Sequence, residues 1–384
     1  MAEEIVVIVG AGPSGLATSA CLNLLNIPNL ILERENCYAS LWKNRAYDRL
    51  KLHLAKQFCH LPHMPYPPNT PTFIPRLEFI RYIDNYVSNF NIKPRYNRSV
   101  ESATYDDLVE KWKLEVKNIV TGEVELYIAK FLVIATGENS KGFIPQIPGL
   151  ESFGGGIVHS SQYKSGEYYD GKKVLVVGCG NSGMEIAYDL SNFGASTSIV
   201  IRSPFHVVTK EMIYLGMVLL KFLPLRFVDG LIVKLEKLTY GNLSKYGIHR
   251  PAEGPFYVKA KTGRSAVIDV GTIEKIKKGV IKVFPAISRI EKNNVAFDNG
   301  EMHQFDDIIF ATGYESTANN WLKDYKSLLD KNGMPKNKFP EHWKGGYGLY
   351  CAGLSRRGLA GVSMDAKVIA NDIDLILNAT KKLH

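Results

Sequence analysis

The sequence predicts an α/β protein with two dinucleotide-binding domains, the second inserted within the first. A strand, a glycine-rich turn and a helix are expected at "VIVGAGPSGLAT", residues 7–18, and again at "VVGCGNSGMEIA", residues 176–187. Two apolar strands that end in Ala-Thr-Gly, at residues 131–137 and 306–314, lie on either side of the second turn. A chain of 384 residues is long enough to bury two hydrophobic cores.

Composition and charge narrow the class of protein. With 45% hydrophobic and 22% charged residues, the chain has the composition of an ordinary globular protein. The net charge is +9, but basic residues occur at most in pairs, which argues against a nucleic-acid partner and favours acidic small molecules. The five cysteines are scattered without C-x-x-C spacing, and no signal peptide is visible, so we expect reduced thiols in the cytoplasm.

The first glycine motif predicts a phosphate-binding turn of the Rossmann type. Gly10 permits the tight bend, Gly12 leaves room for a pyrophosphate, and Gly15 lets the helix pack closely on the strand. The diphosphate then lies at the positive end of the helix. Glu33, at the end of the next strand, is an acceptor for a ribose hydroxyl pair. An N-terminal domain of this type usually binds FAD, and the predicted binding residues are Gly10, Gly12, Pro13, Ser14, Gly15, Glu33 and Arg34.

The second motif repeats this pattern with a different residue after its second strand. Arg202 follows Gly183 by nineteen residues, at the end of the second strand of this motif, whereas the first motif has Glu33 eighteen residues after Gly15. A guanidinium there would pair with a 2′-phosphate, which predicts NADPH; the alternative is a solvated charge at a strand end. The predicted NADPH-binding residues are Gly178, Gly180, Asn181, Ser182, Gly183, Arg202 and Ser203.

The two Ala-Thr-Gly strands predict where the chain passes from one domain to the other. Small residues at their ends let the backbone pass close to a cofactor, and they add four expected binding residues, Thr136, Gly137, Thr312 and Gly313. The predicted FAD domain comprises residues 1–170 and 296–384. The predicted NADPH domain comprises residues 171–295, with a helical insert near 211–250.

The most apolar tract of the insert, residues 212–233, is interrupted by charged residues and a proline. It is therefore too polar to span a bilayer. We expect a buried helical pair that walls a pocket, and a helix lying on a membrane surface is the alternative. Peripheral membrane contact stays open on the sequence alone.

Two nucleotide sites support several chemistries. A disulfide reductase would need a close cysteine pair near the flavin, and the sequence has none. The stretch "FGGGIVHSSQY" fits F-x-G-x-x-x-H-x-x-x-Y at Phe153, Gly155, His159 and Tyr163. Here the chain resembles the flavin-containing monooxygenases. The alternative for His159 and Tyr163 is structural hydrogen bonding in a link between domains.

Longer stretches such as "SLWKNRAYDRLKLHLAKQFCHLPHMPYP" and "SRRGLAGVSMDAK" are similar to the plant YUCCA-type monooxygenases, the indole-3-pyruvate monooxygenase family, over essentially the whole chain. The resemblance implies an FAD enzyme that uses NADPH and O2, forms a flavin C4a-hydroperoxide, and decarboxylates indole-3-pyruvate to indole-3-acetate in auxin biosynthesis. The same nucleotide sites would also suit an N- or S-oxygenase of amines or thioethers, a flavin reductase that serves a protein partner, or a non-catalytic nucleotide sensor.

The resemblance also implies residues near the flavin. Those expected to line it are Ser40, Leu41, Trp42 and Arg45, with a core position as the alternative for Trp42. Other members of the wider family place an Asn ahead of Ser-Lys near the flavin, and the counterparts here are His53 and Lys56. Asn139 is the third catalytic candidate, although an Asn that caps the turn would also explain it.

An acidic substrate would require a cation near the flavin. Arg356 and Arg357, in the turn before the last predicted helix, are the candidates for binding it, and exposure to solvent is the alternative for each. No metal site is expected.

Overall fold

A computed structural model describes residues 2–381 of the chain and divides them into two α/β units. The first unit contains the chain up to Arg45, then Ala55–Lys141, and again the chain from Tyr314 onward. The second unit contains Ala46–Leu54 and Gly142–Gly313. In sequence, the second unit therefore interrupts the first.

The helices and strands are as follows. The α-helices are α1 (Pro13–Leu24), α2 (Arg76–Asn89), α3 (Asn181–Asn192), α4 (Lys210–Leu219), α5 (Leu225–Tyr240), α6 (Pro255–Thr262), α7 (Thr272–Lys277), α8 (Ala318–Trp321) and α9 (Gly358–Lys381). The strands are β1 (Ala2–Val9), β2 (Asn29–Leu32), β3 (Arg98–Asp106), β4 (Lys111–Asn118), β5 (Val124–Ile134), β6 (Lys141–Gly142), β7 (Gly156–His159), β8 (Lys173–Val177), β9 (Ser196–Val200), β10 (Val207–Val208), β11 (Val267–Ile268), β12 (Lys282–Phe284), β13 (Ile287–Glu291), β14 (Asn294–Phe297), β15 (Met302–Gln304), β16 (Asp307–Phe310), β17 (Tyr314–Glu315) and β18 (Leu349–Cys351).

The first unit is built on a sheet in the order β2-β1-β5-β4-β3, with β18 also paired to β5. Strand β1 runs parallel to β2 and β5, and its residues Val6, Val7 and Ile8 are fully buried. A continuous apolar run suits this position because a central parallel strand is covered on both faces. The antiparallel strands β3 and β4 extend one edge, where alternating side chains such as Trp112, Leu114 and Val116 point into the core.

The second unit is built on a parallel sheet in the order β12-β9-β8-β16-β7. Helix α3 connects β8 to β9, as β1, α1 and β2 are connected in the first unit. Strands β13, β14 and β15 form a small antiparallel sheet, and β10 pairs in parallel with β11. Both predicted strand–turn–helix motifs are therefore present, each on a parallel sheet of its own unit.

The observed unit boundaries differ from the predicted domain boundaries both where the chain enters the second unit and where it leaves it. Residues 142–170 and 296–313, predicted for the FAD domain, belong to the second unit. The reason is strand pairing: β16 lies between β8 and β7 and completes the second sheet. The residues Ala46–Leu54 also belong to the second unit, which local sequence patterns did not indicate.

The apolar tract forms the helices α4 and α5, and the prediction of a buried helical pair holds for one face only. Met212 and Gly216 of α4 and Val228 and Ile232 of α5 are buried. The opposite face is exposed. Neither helix lines the cavity of about 1050 Å³ in the second unit, which α6 lines instead, so a pocket walled by the pair stays a prediction. Among residues 2–381, no helix combines the length and apolar character needed to cross a bilayer.

Candidate functional site

The first unit contains a cavity of about 330 Å³, the first cavity, at the carboxyl ends of β1, β2 and β5. These ends meet because the three strands are parallel neighbours, the usual location of a ligand in such sheets. The predicted residues that line it are Gly10, Gly12, Pro13, Ser14, Glu33, Arg34, Ser40, Leu41, Trp42, Arg45, Thr136, Gly137 and Asn139. The sequence analysis missed other lining residues, among them Ser99, Glu138, Thr317, Trp321 and Leu359.

The three glycines of the first turn have separate physical roles. Gly10 has φ +108°, and a Cβ atom there would lie 2.6 Å from the Ala135 carbonyl oxygen. A Cβ atom on Gly15 would collide with the Gly10 carbonyl oxygen, so Gly15 permits helix packing and does not line the cavity. A Cβ atom on Gly12 would meet no atom within 4 Å. Gly12 therefore leaves open the space into which a diphosphate would fit.

Glu33 is a buried carboxylate held against the first turn. Its Oε2 accepts a hydrogen bond from the Ala11 N–H at 2.6 Å, and its Oε1 accepts one from the Glu35 N–H at 2.9 Å. Burial raises the pKa of Glu33, and the two backbone N–H groups oppose that rise. A carboxylate can accept about four hydrogen bonds. Glu33 therefore retains acceptor sites for ribose hydroxyls.

Thr136 provides a second indication of a ligand. Its Oγ1 is buried and has no hydrogen-bond partner among the described residues. The next residue, Gly137, has φ +78°, and the Ser140 hydroxyl fixes this turn by donating to the carbonyl oxygens of Thr136 and Gly137. Buried polar atoms are normally satisfied, so a cofactor in the first cavity is a fitting partner for this hydroxyl.

The segment after β2 bends sharply around the first cavity. Ala39 has φ +50°, an uncommon conformation for a residue with a side chain, and its N–H donates to the Ala11 carbonyl oxygen at 2.9 Å. A single π-helical turn follows at Leu41–Arg45. Strained backbone of this kind clusters at ligand sites. The half-buried Trp42 ring lines the cavity and also packs edge-on against Phe79, with 4.5 Å between ring centroids.

The second unit contains a larger cavity of about 1050 Å³, the second cavity, at the carboxyl ends of β8, β9 and β16. Its turn repeats the geometry of the first. Gly178 has φ +109°, with a would-be Cβ 2.5 Å from the Ala311 carbonyl oxygen, and a Cβ on Gly183 would collide with the Gly178 carbonyl oxygen. A Cβ on Gly180 would meet no atom within 4 Å. The predicted residues that line this cavity are Gly178, Gly180, Asn181, Arg202, Ser203 and Thr312.

Three cations line the second cavity. Arg202 lines it, and so do Lys261 and Arg264, which the sequence analysis missed. Burial raises the pKa of the Cys179 thiol in the glycine turn to about 11, while the charges of Arg264 and Arg202 oppose that rise. Both guanidinium groups thus act on the turn that would hold a dinucleotide, which suits an additional phosphate.

Three residues predicted for the nucleotide have structural contacts. The Asn181 Oδ1 accepts from the Ile268 N–H at 2.7 Å, which anchors β11 to the start of α3. The Ser182 side chain forms a hydrogen bond with Tyr47. The Gly313 carbonyl oxygen lies 3.0 Å from His159 Nε2. Asn181 remains beside the cavity, while Ser182, Gly183 and Gly313 do not line it.

The catalytic candidates separate into two groups. His53 lies in the second unit, where its Nε2 is 2.9 Å from Glu185 Oε1. Lys56 donates from Nζ to two backbone carbonyl oxygens of its own loop, at 2.7 and 2.8 Å. Neither side chain lines the first cavity, whereas Asn139 does. Asn139 is thus the catalytic candidate that lines the first cavity, while His53 and Lys56 stay predictions from the resemblance.

The two arginines predicted to bind substrate lie just before the cavity wall. Gly358 and Leu359 line the first cavity, but Arg356 and Arg357 are not among its lining residues. Both are exposed, and the Arg357 guanidinium lies 4.0 Å from the centroid of the Phe339 ring. The structure therefore does not place either cation in the first cavity.

The motif residues His159 and Tyr163 are structural hydrogen-bonding groups. His159 is buried, with Nδ1 3.0 Å from Ser161 Oγ and Nε2 3.0 Å from the Gly313 carbonyl oxygen. Asp189 lies on α3, and its Oδ2 accepts a hydrogen bond from the Tyr163 hydroxyl at 2.6 Å. These contacts fix the segment 159–163 against the second unit, which is the structural alternative that the sequence left open.

We expect Tyr163→Phe to lower the free energy of unfolding by about 1.5 to 3 kcal/mol, because a hydrogen bond to a buried carboxylate is lost. Flavin content should stay unchanged. Urea denaturation of the variant and of Tyr168→Phe, a matched control at an exposed tyrosine, measures the difference. Unchanged stability together with lost turnover would instead assign Tyr163 a role in the reaction.

Comparison with known proteins agrees with this geometry. The sequence model of the family described as flavin-binding monooxygenase-like matches residues 3–346. The chain is 56% identical over 380 residues to the probable indole-3-pyruvate monooxygenase YUCCA10 of Arabidopsis thaliana, covering 99% of both chains. It is 47% identical to the indole-3-pyruvate monooxygenase YUCCA6 of the same plant, over 96% of this chain and 89% of that protein. OTEMO, solved in complex with FAD and NADP, shares the fold, with a TM-score of 0.76 at 14% identity over 98% of this chain and 85% of that chain.

Proposed function

Since this chain belongs to the YUCCA branch of the flavin-binding monooxygenases, we propose that it converts indole-3-pyruvate to indole-3-acetate and CO2 with NADPH and O2. That it is a flavin-dependent monooxygenase follows from the family itself. The specific substrate is the one named for relatives at 56% and 47% identity over nearly the whole chain. The observation that carries the proposal is this similarity, together with two glycine-turn cavities, the first lined by Glu33 and the second by Arg202.

The first cavity suits FAD. When bound there, FAD supplies a ring that is reduced by NADPH and activates O2. The turn at Gly10 and Gly12 would hold the diphosphate at the N-terminus of α1, and Glu33 would accept hydrogen bonds from the ribose. The apolar side chains of Leu41 and Trp42 would limit the access of water to bound FAD.

The second cavity suits NADPH. The turn at Gly178 and Gly180 would hold its diphosphate, and Arg202, with Arg264 and Lys261, would bind the 2′-phosphate. The bound NADP of OTEMO, a protein of the same fold, is consistent with this assignment. Directly after β2 the first unit has Glu33, whose carboxylate would repel a 2′-phosphate, whereas directly after β9 the second unit has the uncharged Ile201. This difference in charge favours one nucleotide at each site.

We expect the purified holoprotein, supplied with NADPH, O2 and indole-3-pyruvate, to release one CO2 for each NADPH oxidised. One oxygen atom of O2 enters the new carboxylate and the other leaves as water, with NADPH and a proton supplying the two reducing equivalents. The reaction therefore balances without any other reactant. Amines and thioethers serve as competing substrates. N- or S-oxides formed without CO2 would support the oxygenase alternative, and NADPH oxidation that yields only hydrogen peroxide would support a reductase.

We also propose that the enzyme acts in the cytoplasm. All five cysteines, Cys21, Cys37, Cys59, Cys179 and Cys351, are free thiols. Free thiols suit a reducing compartment.

A further inference from the structure

We propose that the helices α4 and α5 of the second unit dock peripherally on a bilayer surface that contains anionic phospholipid. This docking surface consists of the apolar residues Phe222, Leu223, Phe227, Leu231 and Leu238 and the cations Arg226, Lys234 and Lys237. The proposal is independent of the substrate.

Helix α5 has two apolar faces, and only one of them packs against the protein. Val228 and Ile232 are fully buried in a cluster with Val208, Met212 and Ile268. About 100° around the helix axis from these two side chains, Phe227, Leu231 and Leu238 follow one another at helical spacing and are 72%, 39% and 82% exposed. A surface helix requires one apolar face to fold, so the second stripe marks an interaction site.

The turn between α4 and α5 presents further apolar surface. Phe222 is 78% exposed and Leu223 is 46% exposed. The N–H groups of both residues donate to the Leu219 carbonyl oxygen, at 2.9 and 2.8 Å, so this turn has a defined hydrogen-bonded conformation. Phe222 and Phe227 thus lie on either side of Pro224 as exposed aromatic residues joined by a short, ordered turn.

The charge of the docking surface is positive. Between residues 220 and 240 the exposed ionisable side chains are all cations, Lys221, Arg226, Lys234 and Lys237. The two carboxylates of this stretch, Asp229 and Glu236, are buried. Asp229 accepts hydrogen bonds from the N–H groups of Phe256 and Tyr257, and Glu236 contacts His206 and Arg250. These carboxylates are therefore directed inward, and the exposed charge complements anionic headgroups.

The mixture of residue types favours a lipid partner over a protein partner. Lysine is depleted in protein–protein interfaces, and this surface places Lys234 and Lys237 among its exposed apolar residues. At a membrane surface the same arrangement is favourable, because lysine and arginine stems extend along the apolar face while their charges reach the headgroups. The net charge of +9 adds long-range attraction to an anionic membrane.

Sedimentation of the flavin-loaded enzyme with vesicles tests the proposal. We expect binding to vesicles of phosphatidylcholine mixed with phosphatidylserine, little binding to phosphatidylcholine alone, and weakening by salt. The double variant Phe222→Ser/Phe227→Ser should bind on the order of 10- to 100-fold more weakly, because two inserted aromatic groups are lost. Lys234→Ala/Lys237→Ala should bind roughly 30-fold more weakly, at about fivefold for each cation.

The matched control is Leu108→Ser/Val120→Ser, which removes two apolar residues that are 95% and 74% exposed on the first unit. It should bind the mixed vesicles as the unaltered enzyme does. Flavin absorbance of every variant verifies that each is folded and loaded. Failure of the unaltered enzyme to sediment with the mixed vesicles overturns the proposal. Self-association that only the Phe222→Ser/Phe227→Ser variant loses also overturns it, and would assign the surface to a second copy of this chain.

Discussion

A Gly12→Val variant should fold normally but be purified almost free of flavin. Gly12 has φ −72°, which any residue can adopt, and a Cβ atom there would meet no protein atom within 4 Å. The valine methyl groups would instead occupy the space that a diphosphate requires. Overpacking of this kind weakens binding on the order of 100-fold, measured as flavin content by absorbance and as the dissociation constant of added FAD.

Gly180→Val is the matched partner of this variant in the second unit. Gly180 has φ −71° and the same open space at its would-be Cβ. The flavin content of Gly180→Val should equal that of the unaltered enzyme. Its affinity for NADPH should fall by a factor comparable to the loss of FAD affinity in Gly12→Val. Circular dichroism of both variants verifies folding. If Gly180→Val loses flavin, or if Gly12→Val retains it, the two cavities are not assigned to the nucleotides as proposed.

Arg202→Ala should reduce the affinity for NADPH by about 10- to 100-fold. The substitution removes charge-assisted hydrogen bonds to the 2′-phosphate that contribute roughly 1.5 to 3 kcal/mol. NADH lacks that phosphate, so the affinity of the enzyme for NADH should change little. The ratio of the NADPH affinity to the NADH affinity should therefore fall by the same factor. Equilibrium titration of the flavin-loaded variant with each nucleotide measures both constants, and its flavin content should be normal.

Arg289→Ala is the control for this variant, because Arg289 is an exposed arginine of the second unit that pairs with Glu291 and does not line the second cavity. It should leave the affinity for both nucleotides unchanged. Unchanged NADPH affinity in Arg202→Ala would make Arg202 a solvated strand-end charge. If Arg264→Ala then loses the preference for NADPH, the phosphate lies at Arg264.

The parts of the site that follow from short stretches of chain are predictable from the sequence. A strand, a turn and the following helix are contiguous, so glycine spacing alone indicates the fold of residues 7–18 and 176–187. The residue at the end of the next strand is carried to the same sheet edge by a crossover of nearly constant length. The sequence therefore places Glu33 and Arg202 beside the cavities that they line.

Contacts between distant parts of the chain do not follow from local patterns. The family resemblance implies His53 near the flavin; in the structure residues 46–54 belong to the second unit, and His53 lies 2.9 Å from Glu185, 132 residues away. Arg264 escapes prediction because it reaches the second cavity through the pairing of β10 with β11, where Val207 lies opposite Val267. A pairing between segments so far apart leaves no periodic pattern in either one.

The sequence by itself determined the α/β class, the two phosphate-binding turns and the difference in charge between the two ribose positions. Only the tertiary structure decided which polar side chains remain available to a ligand. Tyr163 is bound by Asp189, and the Asn181 side chain anchors Ile268, whereas the Thr136 hydroxyl retains an unmet hydrogen bond among the residues described. The physical reason is that a buried polar group must be satisfied, and the partner that satisfies it is brought close only when segments distant in sequence pack together.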